Sequence, residues 1–316
     1  MPRASLARHV FEPILPLLAL GALLLGAATA HAAPPPDRSK RVDRLFYTNL
    51  TALRLNPLGL QNQFELDWRH RLYDPGESRL FADNFAGLTF APTLTPGLAR
   101  VGLAAKFQPL AILKLEVRWE YLAYFGILDL LQSFPDASAD FSDSALKKGG
   151  DAKQNYATDG WQLTIDTELR AKVGPVIARS RFKAAYVDVA LHAGDRVYYD
   201  QYSDLLIRGN GWFVTNDADL LFELGRHWIV GVRHSFADVF YGDAAASGGG
   251  KNAPTHRLGP LVAYTFFDTP GESWNRPTIL LVANWHLAHR WRTGADVSQA
   301  VPYLALGFAF TGDLLP

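Results

Sequence analysis

Strict alternation of apolar and charged residues is the feature that most limits how this chain can fold. In the stretch QFELDWRHRLYD, residues 63–74, the apolar side chains of Phe64 and Leu66 alternate with the charged side chains of Glu65 and Asp67. Successive side chains of a β-strand point to opposite faces, so this strand has one apolar and one charged face. A soluble β-sandwich produces the same alternation, so one strand alone does not decide the fold.

The alternation recurs along the chain in segments of about ten residues, as in LKLEVRWEY (113–121) and WQLTIDTELRAKV (161–173). No helical periodicity competes with it, and Gly, Pro, Asn and Asp separate the segments as turns require. We predict twelve strands, with ten or fourteen as alternatives. The twelve cover residues 44–55, 60–73, 84–95, 98–108, 112–124, 159–173, 175–191, 211–224, 227–240, 256–267, 277–291 and 301–312.

The connections between these strands are sorted by length. Those after even-numbered strands are short or moderate, whereas three after odd-numbered strands are long, at about 125–158, 192–210 and 241–255. Short turns at one rim and long loops at the other are typical of outer-membrane barrels. The first two odd connections, NPLG and TPG, are short, so the sorting is incomplete.

The N-terminal residues have the pattern of a secretory signal peptide. Arg3 and Arg8 precede an apolar run that ends on Ala30-His31-Ala32, a small-x-small cleavage pattern. We therefore predict a signal peptide at 1–32, an N-terminal periplasmic segment at 33–43 and a barrel at 44–316. A transmembrane anchor is the alternative, but Pro16 interrupts the run.

Composition excludes several classes of protein. The 31 basic and 31 acidic residues balance, which leaves no basic footprint for nucleic acid. The chain has no cysteine, so neither disulfides nor a thiol-linked lipid anchor can hold it. After residue 32 no apolar run approaches the roughly 20 residues of a membrane helix.

Residues 44–316 resemble bacterial outer-membrane β-barrel proteins in this pattern of strands and loops. The resemblance implies an all-β, antiparallel, up-and-down transmembrane barrel in the outer membrane of a Gram-negative bacterium. Its apolar wall would face lipid and its polar face a wet lumen. The implied partners are outer-membrane lipids, the barrel-assembly machinery and a small-molecule solute. In such a barrel Trp161, Trp212 and Trp291 would lie near the outer rim, and Trp228 and Tyr73 near the inner rim.

Charged residues on the predicted inner face form one side of the lumen, while the last four strands present mainly neutral residues there. Two interpretations stay open: a salt-bridge network that fills the lumen, or a narrow water path along a charged wall. The predicted lumen-lining residues are Glu65, Asp67, Arg69, Arg71, Lys106, Lys114, Glu116, Arg118, Glu120, Asp166, Glu168, Arg170, Lys172, Arg179, Arg181, Lys183, Asp217, Asp219 and Glu223.

Candidate sites for chemistry are few. His234 and Ser235 are adjacent, so on a strand they would face opposite sides and not form a catalytic pair. Asp136, Asp140 and Asp143 lie close together in the loop 133–160 and offer oxygen ligands suited to calcium. That loop could instead fold inward and constrict the pore. We predict no catalytic residues, no cofactor and no other metal site.

The leading functional hypothesis is a non-enzymatic barrel that passes or binds small solutes. A lipid-modifying enzyme of the outer membrane and a structural or adhesive barrel that acts through its long loops are the alternatives.

Overall fold

The computed structural model describes residues 42–74, 76–242 and 252–315. The segments of alternating apolar and polar residues form β-strands. The described residues also contain one short helix, α1 (Asp143–Asp151). The strands are β1 (Asp43–Leu55), β2 (Gly59–His70), β3 (Phe85–Leu94), β4 (Leu98–Leu110), β5 (Leu113–Phe125), β6 (Ser133–Phe134), β7 (Ala157–Val173), β8 (Val176–Val189), β9 (Val197–Asp200), β10 (Leu205–Arg208), β11 (Asn210–Leu224), β12 (Trp228–Val239), β13 (Thr255–Thr265), β14 (Asn275–Ala288) and β15 (Tyr303–Asp313).

Twelve of these strands close into one antiparallel barrel, in the order β1-β15-β14-β13-β12-β11-β8-β7-β5-β4-β3-β2. Closure depends on β1, where Thr48 pairs with Thr311 of β15 on one side and with Glu65 of β2 on the other. A closed barrel leaves no unpaired sheet edge. The predicted twelve-stranded barrel is confirmed. The predicted signal peptide lies outside the described residues, as do residues 33–41.

The two ends of the barrel differ. The connections that follow β1, β3, β5, β8, β12 and β14 lie at one end, which we call the loop end. The opposite end, which we call the turn end, carries the other connections and both ends of the described barrel. The remaining strands, β6, β9 and β10, form a separate three-stranded sheet within the long loops.

The outer wall of the barrel is apolar. On β4, Val101, Leu103 and Phe107 are 46%, 62% and 45% exposed, whereas the intervening Lys106 is buried. Exposed leucine, valine and phenylalanine side chains recur on the outer face of the other barrel strands. A closed barrel satisfies its backbone hydrogen bonds within the sheet, and an apolar band around its outside can contact lipid. The fold is therefore a transmembrane β-barrel. None of the described helices is both long and apolar enough to cross a membrane.

Aromatic residues cluster at both rims of the outer wall. At the loop end the Tyr186 ring lies 5.5 Å from Trp161 and 5.4 Å from Trp212, measured between ring centroids. At the turn end Trp228 lies 4.7 Å from Tyr264. Trp291 also lies at the loop end, just after β14, but its ring packs against Phe141 of a loop at 5.9 Å and not against the outer wall.

Candidate functional site: the barrel interior and its loop plug

The connection between β8 and β11 crosses the barrel mouth. We call residues 190–209, which contain β9 and β10, the strap. At its tip the Tyr202 ring lies 4.7 Å from the guanidinium of Arg54 on β1 and 4.2 Å from that of Arg100 on β4. In the barrel order β1 is six strands from β8, which is half the circumference. The strap therefore spans the loop end from one wall to the other.

The strap is the centre of a hydrophobic core inside the loop end. Val197, Leu205 and Leu206 are fully buried and belong to one cluster with Phe141 of the loop after β5. The same cluster contains interior residues of the barrel wall near the loop end: Leu98, Leu122, Tyr124, Val187, Val189, Ala237 and Val239. The long loop after β5 therefore folds inward. We call the strap and the described residues 126–156, 252–254 and 289–302 the plug.

Arg292 links the loops of the plug. Its Nη2 lies 3.0 Å from Asp204 Oδ1 in the strap and 2.8 Å from Asp143 Oδ1 at the start of α1. Its Nη1 donates to Asn56 Oδ1, between β1 and β2, at 2.6 Å, and its Nε donates to Asp204 Oδ2. Both Arg292 and Asp204 are buried. One guanidinium thus connects four separate loops.

The environment of Asp204 keeps its carboxyl ionised. Burial alone would raise the pKa of Asp204, but the neighbouring His289 and Arg292, with hydrogen bonds from Arg292 and Tyr199, lower it to about 2. His289 Nε2 lies 3.3 Å from Asp204 Oδ2, and Tyr199 Oη donates to Oδ1 at 2.8 Å. His286 Nε2 lies 3.9 Å from Asp204 Oδ2 and has no hydrogen-bond partner among the described residues.

The first group of predicted interior charges joins β2, β4 and β5. Lys106 Nζ donates to Glu65 Oε2 at 2.8 Å and to Asp67 Oδ1 at 2.7 Å. Arg118 reaches Glu65 at 2.5 Å and Glu116 at 2.7 Å. Since β3 and β4 separate β2 from β5, the contact between Glu65 and Arg118 is made within the barrel. Arg69 completes the group through Asp67 at 2.9 Å.

The second group lies on β7, β8, β11 and β12. Arg181 donates to Asp166 Oδ2 through Nε at 2.7 Å, and Arg179 donates to Asp219 Oδ2 through Nε at 2.9 Å. Arg233 donates to the other oxygen of Asp219 at 2.7 Å.

The other predicted interior residues have partners outside these two groups or at longer distances. Lys183 Nζ lies 3.9 Å from Asp166, Lys114 Nζ 3.2 Å from Glu168, and Lys172 Nζ 2.6 Å from Glu223 at the turn end. Ser235 donates to Asp217 at 2.6 Å, Arg170 contacts Asp83 at 3.2 Å, and Gln162 lies 3.5 Å from Glu120. Arg71 lies beyond the end of β2.

An apolar cluster occupies part of the inner wall on the turn side. Leu221, Leu261 and Val282 are buried there, and Ile177 and Ile229 pack against them. These residues belong to β8 and β11–β14, so the neutral side of the interior extends further than the last four strands.

Sequence reasoning missed several interior residues. Arg54, Arg100 and Arg233 could have been found, because each lies an even number of positions from an inward-facing residue of its own strand. No local signal identifies Asp204 and Arg292, which are separated by 88 positions.

The other candidate sites are not assembled. His234 lies 3.1 Å from His256, while Ser235 on the opposite face bonds Asp217. The three loop aspartates are used separately: Asp136 accepts from Ser138, Asp140 from the backbone of Ser142, and Asp143 from Arg292. No group of three or more His, Cys, Asp or Glu within the described ranges could hold a metal ion.

Comparisons with known proteins find similarity in the fold only. No family model matches, and no curated protein matches the sequence. The solved structures that are similar include the KdgM porin (6% identity, TM-score 0.37, 84% of this chain and 98% of that chain). They also include the translocator domain of autotransporter NalP from Neisseria meningitidis (11%, 0.41, 98% and 97%) and the Acinetobacter baumannii outer membrane protein Omp33 (12%, 0.33, 86% and 98%). Sequence identities and TM-scores as low as these do not indicate a shared function. The fold assignment rests on the closed series of strand pairs.

Proposed function

We propose that this chain is a non-enzymatic barrel of the Gram-negative outer membrane that passes or binds small solutes through its interior. The plug closes the loop end at rest. The observation that carries the proposal is the strap, which spans the loop end. Its Tyr202 ring stacks on Arg54 of the opposite wall and on Arg100 of β4, and its Asp204 binds Arg292 of the loop after β14. A purely structural barrel has no need for such a separate closure. The apolar outer wall and the expected signal peptide at 1–32 support the location.

Water-accessible charge supports a solute path below the plug. Arg179, Arg181 and Lys183 point away from the lipid face, since Phe182 and Tyr186 of the same strand belong to the outer wall. Their side chains are 36%, 36% and 41% exposed. These ion pairs therefore neutralise part of the charge on the inner wall, but they leave space for water beside the basic side chains. Passage of a solute would require displacement of the plug.

A strap-less variant tests this proposal. Asp188 pairs with Asn210, so a short Gly-Ser turn in place of residues 190–209 closes the same hairpin between β8 and β11. We expect little or no current from the wild type in planar bilayers and a stable, much larger conductance from the variant. Heat-modifiable gel mobility verifies that each barrel is folded. Removal of residues 76–79 at the turn end is the matched control. This variant should show the same low conductance as the wild type. A folded strap-less barrel that stays silent would refute the passage of solutes.

A further inference from the structure

Around β8 the interior charges differ in accessibility according to their sign. The side chains of Asp166 and Asp219 are 2% and 0% exposed, whereas their partners Arg181 and Arg179 are both 36% exposed. Lys183, the next inward position on β8, is 41% exposed. The carboxylates thus lie behind the basic groups, against the wall. Water in this part of the interior contacts mainly cationic side chains.

The geometry of the ion pairs explains this sorting. A guanidinium has five N–H donors in a planar fork. Arg179 and Arg181 each use Nε and Nη2 to contact a single carboxylate oxygen. Their remaining donors lie on the side away from the carboxylate. Along β8 the basic positions recur every second residue, which spaces them by roughly 7 Å at about 3.4 Å per residue.

A second pair of basic residues contacts the plug. Arg54 and Arg100 stack on the Tyr202 ring, and neither forms an ion pair with a carboxylate of the described residues. The Nε atom of each is buried without a hydrogen-bond partner. A buried guanidinium donor without an acceptor costs free energy unless a ligand or water supplies one. The nearby Asp200 carboxylate already accepts from Ser203.

The sorting holds around β8 and does not extend to the whole interior. Lys106 and Arg118 are buried within the group on β2, β4 and β5. Asp217 is 46% exposed, but it accepts from Ser235 and lies 3.8 Å from Arg233. One exposed carboxylate beside three exposed basic groups leaves the accessible surface positive.

We propose that the interior accepts small anionic solutes that carry carboxylate or phosphate groups, with Arg179, Arg181 and Lys183 as the contacting residues. This inference rests on the proposed function, because it names the class of solute that the same interior would take. Charges in a narrow, low-dielectric passage are less screened than in bulk water, so an exposed basic row favours anions.

Reversal potentials of the strap-less barrel in a KCl gradient test the selectivity. We expect anion preference, and Lys183→Gln should reduce it while Lys147→Gln, on the exposed face of α1, should not. The paired change Arg181→Gln with Asp166→Asn leaves the net charge unchanged and strands no carboxylate. It should still reduce anion preference, because Arg181 is the water-accessible residue of this ion pair and Asp166 is buried. Cation preference in the parent, or no effect of either interior change, would overturn the inference.

Citrate binding to the full chain in detergent separates this inference from the passage of solutes. Citrate should raise the temperature at which heat-modifiable mobility is lost, more than KCl of equal ionic strength does. Lys183→Gln should diminish this shift. Stabilisation by citrate together with a silent strap-less barrel would refute passage and retain the anion site. Conductance without anion preference, and no citrate effect, would refute the anion site and retain passage.

Discussion

Replacement of Arg292 by alanine should open the plug and leave the barrel intact. The partners of Arg292 are Asn56, Asp143 and Asp204, all in connections at the loop end. None of its hydrogen bonds joins two barrel strands. We therefore expect local opening of the strap with the twelve-stranded ladder preserved, because regions of a protein can open with free energies below that of global unfolding.

The magnitude follows from the burial of the two partners. The Arg292 and Asp204 side chains are 3% and 2% exposed. Removal of one member of a buried ion pair costs about 3–5 kcal/mol, because the other charge is left without compensation. Asp143 is 50% exposed, so the loss of its contact adds little. At about 1.4 kcal/mol for each factor of ten, opening of the strap should become more favourable by roughly two to nearly four orders of magnitude.

Hydrogen exchange measured by mass spectrometry reports this opening directly. Peptides that cover 197–208 should exchange much faster in Arg292→Ala, while peptides from β4 and β5 should not change. Lys172→Ala is the matched control, because it breaks an exposed ion pair at the turn end and should cost at most about 1 kcal/mol. In an Asp204→Asn background, the same Arg292→Ala change should lower the free energy of opening the strap by far less. Equal costs in the two backgrounds, or simultaneous loss of the barrel, would refute the reasoning.

Two further predictions concern the strap and the outer wall. The pKa of Asp204 is lowered to about 2 in the folded state, so its contribution is present above the unfolded value of about 3.9 and is lost as the pH falls from there through about 2. The free energy of opening the strap, obtained from hydrogen exchange corrected for the intrinsic rate at each pH, should fall in that window, and Asp204→Asn should abolish this fall. On the lipid face, Leu103 lies in the middle of β4 and is 62% exposed, so Leu103→Arg should cost roughly 2–4 kcal/mol of unfolding free energy. Leu103→Ala should cost less, and equal costs in denaturant titrations would contradict the assigned faces.

The period-two pattern was sufficient for the barrel because a strand's two faces are a local property. Alternation places Glu65 and Asp67 on one face of β2, where both accept from Lys106. The sixth barrel strand, predicted at 159–173, is Ala157–Val173 in the structure. Register follows from the same constraint, since a slip by one residue would turn every charge toward lipid. The sequence alone therefore determined the strand type and the two faces of each strand, while closure of the sheet decided for twelve barrel strands over the alternatives of ten or fourteen.

Closure of the barrel decided which charges of strands that are not neighbours form ion pairs. Glu65 and Arg118 belong to strands that are not neighbours, and their contact exists because the wall curves around the interior. The strap lies within a predicted loop, and its strands β9 and β10 have four residues each, too few for periodicity to identify. Asp204 meets Arg292 only because the strap crosses the full width of the mouth. Local pattern determines which way a side chain points, whereas contacts between distant segments depend on the three-dimensional path that brings them together.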